Sequence, residues 1–269
     1  MSLLSLQNVS FGYQDNQPIF ENISFDVKPG EVFCIIGPNG CGKTTLIDSI
    51  LGINQPQSGR IMVADNDLHK MKPKEFAKNI AYVPQSHTKT FPYTVLDIVV
   101  MGRTYATKMF SAPNTAERHR AIESLEQVGL KGFENRLYTE LSGGELQLVL
   151  IARALAQESH IMIMDEPTAH LDFRHELMVM EIITWLVKEK GLTIIMATHF
   201  LNQAFYLENA GVEIRVALMN QGTFKAIGTP TEVLTKNNLK DVFKIFSSIG
   251  MTDEEGINQK FIVPLKNIR

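Results

Sequence analysis

The chain has 269 residues, room for one large domain or two small ones at ~100–200 residues per domain. Apolar residues make up 44% and charged residues 20%, which excludes a disordered or fibrous chain. A formal net charge of −3 leaves no basic excess to hold a polyanion, so nucleic acid is not an expected partner. Two cysteines cannot build a disulfide framework and point to a reducing compartment. The longest apolar runs, such as Ile161–Met164 and Leu192–Ala197, fall short of the ~18–20 residues of a membrane helix. No leader pattern opens the chain, and a soluble cytoplasmic protein is expected.

The first thirty residues read as antiparallel strands. Ile23, Phe25 and Val27 alternate with Ser24, Asp26 and Lys28, the period of a sheet with one wet face. Lys28-Pro29-Gly30 marks a turn. Three later runs, Val32–Ile36, Ile161–Met164 and Thr193–Met196, are continuously apolar, as strands of a helix-covered parallel sheet are. A helix is predicted over Thr45–Leu51. The stretch 90–150 is rich in helix signals: Thr94 with Asp97, and Asn114 with Glu117, pair a cap with an acid three residues on. Gly129 stops the second of these helices. Residues 174–190 form another amphipathic helix, and Thr229-Pro230-Thr231-Glu232 opens a tail that ends in the strand-like Phe261-Ile262-Val263. The fold class expected is α/β, a mainly parallel core with an antiparallel flank and a helical insertion.

Chemistry concentrates in three places. Gly37-Pro38-Asn39-Gly40-Cys41-Gly42-Lys43-Thr44 fits the phosphate-binding loop G-x-x-x-x-G-K-[ST]. It stands between a buried strand and a helix, where glycines let successive N–H groups point at phosphate oxygens. Lys43 would neutralise the β- and γ-phosphates, and the Thr44 hydroxyl would bind Mg²⁺. Ordinary glycine abundance of ~7% supplies such a match by accident in on the order of one chain in a hundred, so a nucleotide site is the better interpretation. Asp165 and Glu166 end an apolar strand, the edge that faces the ligand crevice in open parallel sheets. Asp165 can hold Mg²⁺ through a water, and Glu166 can polarise the water that attacks phosphorus. Leu141-Ser142-Gly143-Gly144-Glu145 precedes an apolar helix and offers a second N-terminus to an anion. Alone it would be only a helix cap.

Taken together with Tyr13 in Phe11-Gly12-Tyr13, Gln85 in Tyr82-Val83-Pro84-Gln85, Asp165-Glu166-Pro167-Thr168, Leu171-Asp172 and His199 in Ala197-Thr198-His199, the chain resembles the ATP-binding-cassette (ABC) family over about residues 3–228. The resemblance implies a P-loop NTPase core and a Mg²⁺-dependent ATPase with ATP bound at residues 37–45, Thr45 included. It further implies a head-to-tail homodimer with two ATP molecules at the seam. Tyr13 would stack on adenine. Gln85 would touch Mg²⁺ and the attacking water, and His199 would bind the γ-phosphate and orient Glu166. Ser142, Gly143 and Gly144 would reach the ATP of the opposite subunit, with Asp172 lining the seam.

One cassette domain over 1–269 is implied: a flank at about 1–30, a core at about 31–89 and 151–228, a helical subdomain at about 90–150 and a tail at 229–269. Glu145 stands where the family carries Gln and is expected to turn toward the ribose or solvent. Cys41 lies near a helix N-terminus, which favours thiolate, while burial opposes it. His69, His87, His119, His160 and His175 show no metal-ligand arrangement and read as surface or packing residues. The segments Pro92–Arg103 and Asp165–Phe173 look like those of importers for iron-siderophores, haem, cobalamin and other metal chelates; molybdate or tungstate importers are also similar. A subunit peripheral on the inner face of the membrane follows, with a permease as direct partner and a substrate-binding protein as indirect one. A soluble non-transport ABC ATPase is the alternative.

Overall fold

Alternation in the sequence becomes a sheet face wherever one side is wet. The structure, a computed structural model, describes residues 2–14, 17–106, 113–254 and 257–268. In chain order it forms β1 (Leu4–Phe11), β2 (Phe20–Val27), β3 (Val32–Ile36), α1 (Lys43–Ile50), β4 (Ser58–Val63), β5 (Asn66–Asp67), α2 (Pro73–Asn79) and β6 (Ile80–Val83). Then come α3 (Val95–Val100), α4 (Thr115–Gln127), α5 (Gly143–Ala156), β7 (Ile161–Asp165), α6 (Phe173–Lys190), β8 (Thr193–Thr198) and α7 (Leu201–Asn209). The chain ends with β9 (Ile214–Asn220), β10 (Thr223–Gly228), α8 (Pro230–Val233), α9 (Lys236–Phe243), β11 (Ile245–Glu254) and β12 (Ile257–Asn267). Residues 1–70 with 183–269 make one compact unit, and residues 71–182 make a second.

The first unit holds an antiparallel sheet in the order β2-β1-β4-β5. Phe20, Ile23, Phe25 and Val27 of β2 are buried and Glu21 and Ser24 exposed, as their alternation predicts. The sequence reading confined this flank to the first thirty residues. The structure extends it to Asp67, because β4 pairs with β1 from Ser10↔Ser58 to Leu4↔Val63. Beside it, β3 is buried at all five residues and runs parallel to both β8 and β9, with β10 antiparallel on β9. A part-buried ion pair anchors β9 where β3 begins. Glu31, with no exposed surface, accepts hydrogen bonds at 2.7 and 2.9 Å from Arg215, which also reaches the carbonyl of Asp26. The Glu31 carboxylate holds the Arg215 guanidinium above the ordinary arginine range. Phe25 and Phe33 stack face to face at 4.4 Å. The tail forms a hairpin, β11 with β12, longer than Phe261–Val263 alone; Asn202 of α7 ties it down by accepting the Ile262 N–H at 2.8 Å.

In the second unit β6 and β7 run parallel. Its helices start where the cap pairs lie: Thr94 with Asp97, Asn114 with Glu117, and Ser142 with Glu145 each form a reciprocal capping box. Each such cap stabilises a helix by about 1 kcal/mol. Val99 and Val100 are buried in α3 and Leu148–Ala152 in α5, which packs this subdomain. Arg103, 6% exposed, joins the carbonyl of Ala156 and the Glu158 carboxylate, each at 2.8 Å.

Candidate nucleotide site

In the first unit, β3 delivers the chain into a tight curl that ends in α1. Gly40 and Gly42 take left-handed φ values of +78° and +108°, which glycine adopts without steric cost. Gly42 is the N-cap residue of α1, so the helix begins at Lys43, two residues earlier than the sequence suggested. Gly37 is fixed by proximity: a Cβ there would lie 2.4 Å from the Met219 carbonyl oxygen and 2.6 Å from Cys41 Sγ. Lys43 is buried, and its ammonium donates to the carbonyls of Gly37 at 2.9 Å and Pro38 at 3.3 Å. The cation therefore sits inside the curl. Asn39 and Thr44 are exposed, Pro38 and Thr45 half-buried. A loop of this shape can hold a polyphosphate. Cys41 is buried, and its carbonyl accepts the N–H of Gly222 at 3.1 Å.

Two further predicted residues lie in this unit. Tyr13 is 67% exposed and presents its ring beside Phe11, edge-on at 5.1 Å, a platform open to stacking. His199 follows the end of β8, half-buried, with its ring 4.1 Å from that of Phe200.

The second unit carries the carboxylates. Asp165 is the last residue of β7 and 1% exposed; Glu166 is 7% exposed with φ at +47°. A non-glycine residue held in that region costs of order 1–3 kcal/mol and persists where its surroundings dictate it. Gln85 is exposed just after β6. The loop beyond it is tied to the segment before α5: Lys89 Nζ donates to the carbonyls of Leu141 at 2.6 Å and Thr139 at 3.3 Å, and the Thr90 N–H donates to the Tyr138 hydroxyl at 3.0 Å. Sequence reasoning missed Lys89, since nothing local marks a lysine for a carbonyl some fifty residues away.

Ser142 and Gly143 are exposed at the start of α5. Glu145 has a specific partner at the helix start. Its carboxylate turns back to accept the Ser142 N–H at 2.8 Å, with Arg136 at 3.6 Å, because an unpaired amide at a helix start is the nearest strong donor. That amide bond holds the Glu145 carboxyl below the usual range. Asp172 is exposed and accepts from both the backbone N–H and the ring Nδ1 of His175, which hold it below the usual carboxylate range. Among the described residues no group of three His, Cys, Asp or Glu side chains could hold a metal ion.

Comparison with known proteins decides what these parts belong to. The sequence pattern of the family described as ABC transporter matches residues 20–169, more than half of the chain. The chain belongs to the ABC transporter family. Like its relatives it is an ATP-hydrolysing cassette. The molybdate import ATP-binding protein MolC of Haemophilus influenzae is 35% identical over 242 residues, 90% of this chain and 88% of that protein. The iron(3+)-hydroxamate import ATP-binding protein FhuC of Bacillus subtilis is 34% identical over 249 residues, 93% of this chain and 90% of that protein. Among solved structures, an inward-facing ABC transporter ascribed to the metal-chelate type is similar at a TM-score of 0.87 and 32% identity, over 99% of this chain and 98% of that one.

Proposed function

We infer that this cassette powers a membrane importer as a head-to-tail homodimer, binding ATP with Mg²⁺ and hydrolysing it to ADP and phosphate. The observation that carries this is the phosphate loop, with Lys43 held inside a curl that two left-handed glycines create. Residues 37–45 bind the phosphates, Tyr13 stacks on the adenine, and Ser142, Gly143 and Gly144 meet the nucleotide of the second copy. The Thr44 hydroxyl, the Gln85 amide oxygen and the Asp165 carboxylate are hard oxygen donors of the kind Mg²⁺ takes, with waters completing its shell. Bound there, the ion would neutralise charge on the β- and γ-phosphates. Glu166 takes the proton of the attacking water, His199 orients Glu166, and Lys43 stabilises the transferring phosphoryl group.

The permease would contact the loop after Gln85, where Phe91 is 60% and Tyr93 42% exposed. That contact makes the chain peripheral on the inner face of the membrane, with a substrate-binding protein as an indirect partner. The substrate class is a metal chelate such as an iron-siderophore, haem or cobalamin complex; molybdate is the alternative.

Glu166→Gln tests the assignment. It removes the basic oxygen and should lower phosphate release by ~10²–10⁴-fold while leaving an ATP-bound dimer on gel filtration. Hydrolysis within about threefold of the parent would place the general base elsewhere, with His199 next.

A further inference from the structure

The two glycines that open α5 have different surroundings. A Cβ at Gly143 would meet nothing within 4 Å, whereas a Cβ at Gly144 would lie 2.2 Å from Cγ and Cδ2 of His175 and 2.7 Å from its Nδ1. The imidazole therefore fills the volume a side chain at Gly144 would need. It is itself held in place: Nδ1 lies 2.9 and 3.0 Å from the two carboxylate oxygens of Asp172, and the His175 backbone N–H donates to the same carboxylate at 2.9 Å. A side chain fixed at both its backbone and its ring has little freedom left, and its ring is only 23% exposed.

We propose that His175 is a positioning residue: clamped by Asp172, its ring supports Gly144 from below and fixes the direction of the α5 N-terminus toward the nucleotide of a second copy. Gly143 then serves close approach of a ligand, and Gly144 serves the ring. The inference rests on the two-copy arrangement proposed above. It adds that the residue lining the seam, Asp172, and the phosphate-facing turn are set by one side chain. His175 touches neither ATP nor its reacting atoms and acts through Gly144.

The test is MgATP-driven dimerisation in a Glu166→Gln background by sedimentation, beside binding of a fluorescent ATP analogue to the monomer. One lost positioning hydrogen bond is worth about tenfold, and a dimer contains two such clamps. His175→Ala should therefore weaken dimerisation by about a hundredfold, with monomer affinity for the analogue within about twofold of the parent. His175→Asn, whose amide keeps a donor near the Nδ1 position, should recover most of that loss. Parent-like dimerisation of His175→Ala overturns the positioning role, as does an Asn variant no better than Ala. A parent that stays monomeric with MgATP overturns the two-copy reading, and this inference with it.

Discussion

Gly37→Ala introduces a single methyl group, and its cost can be worked from the surroundings. The new Cβ would lie 2.4 Å from the Met219 carbonyl oxygen, where carbon and carbonyl oxygen settle at about 3.3 Å. The loop must move by ~0.9 Å, since Met219 cannot: it is paired with Phe224 in the β9–β10 ladder. Displacing a phosphate-positioning backbone by about 1 Å costs up to ~10²-fold. ATP affinity and turnover should fall by about 30–100-fold on that scale, with the fold retained. Cys41 Sγ, the second obstacle at 2.6 Å, belongs to a side chain that can rotate, so adding Cys41→Ala should restore little. Gly40→Ala is the contrast. Nothing lies within 4 Å of its Cβ, and only the left-handed φ of +78° resists it, a conformational cost of ~1–2 kcal/mol. Titration with a fluorescent ATP analogue and a phosphate-release assay measure all three variants. Gly37→Ala with ATP affinity within about threefold of the parent, or full rescue by Cys41→Ala, would refute the packing argument.

Two further outcomes follow from the charged pairs. Arg215→Met leaves the buried Glu31 carboxylate with the Lys28 N–H but no cation and should destabilise the chain by about 2–4 kcal/mol in urea unfolding, whereas Glu31→Leu with Arg215→Met should recover much of it; a single variant losing under about 1 kcal/mol would discount the pair. Glu145 carries a lowered pKa, so its contribution is present above the ordinary glutamate value of about 4.5 and fades as pH falls through the lower folded value. The parent should therefore exceed Glu145→Gln in thermal midpoint near neutrality by a margin that shrinks in acid, and a constant margin down to pH ~3 would dismiss the carboxylate cap.

Local signals carried far into the fold. Capping pairs such as Thr94 with Asp97 and Thr229 with Glu232 act within four residues, so the chain states them directly, and the structure places helices there. The phosphate loop is legible for the same reason: its glycines, lysine and helix are contiguous. Long-range pairing was not legible. Ser58–Val63 shows little alternation and three exposed residues at its start, and only its partner β1 makes it a flank strand. The Glu31–Arg215 pair spans 184 positions, and neither residue advertises burial. His175 read as a surface or packing residue, and the structure makes it the latter, but its partner could not be named because Gly144 lies on another element. For Glu145 the direction away from the phosphates was legible from its charge, whereas its bond to the Ser142 amide three residues behind it shows only in the structure.

The Ser142 cap also bears on how its hydroxyl meets an anion. The Ser142 oxygen accepts the Glu145 N–H at 3.2 Å, which occupies one of its two lone pairs. Acceptance draws electron density from the O–H bond and strengthens it as a donor, since chained hydrogen bonds polarise one another by about 10–30% per bond. The proton of this exposed hydroxyl is thereby biased outward, toward an acceptor. A serine placed here keeps one lone pair for an incoming donor, yet its polarised O–H makes it a stronger partner for an acceptor such as a phosphate oxygen.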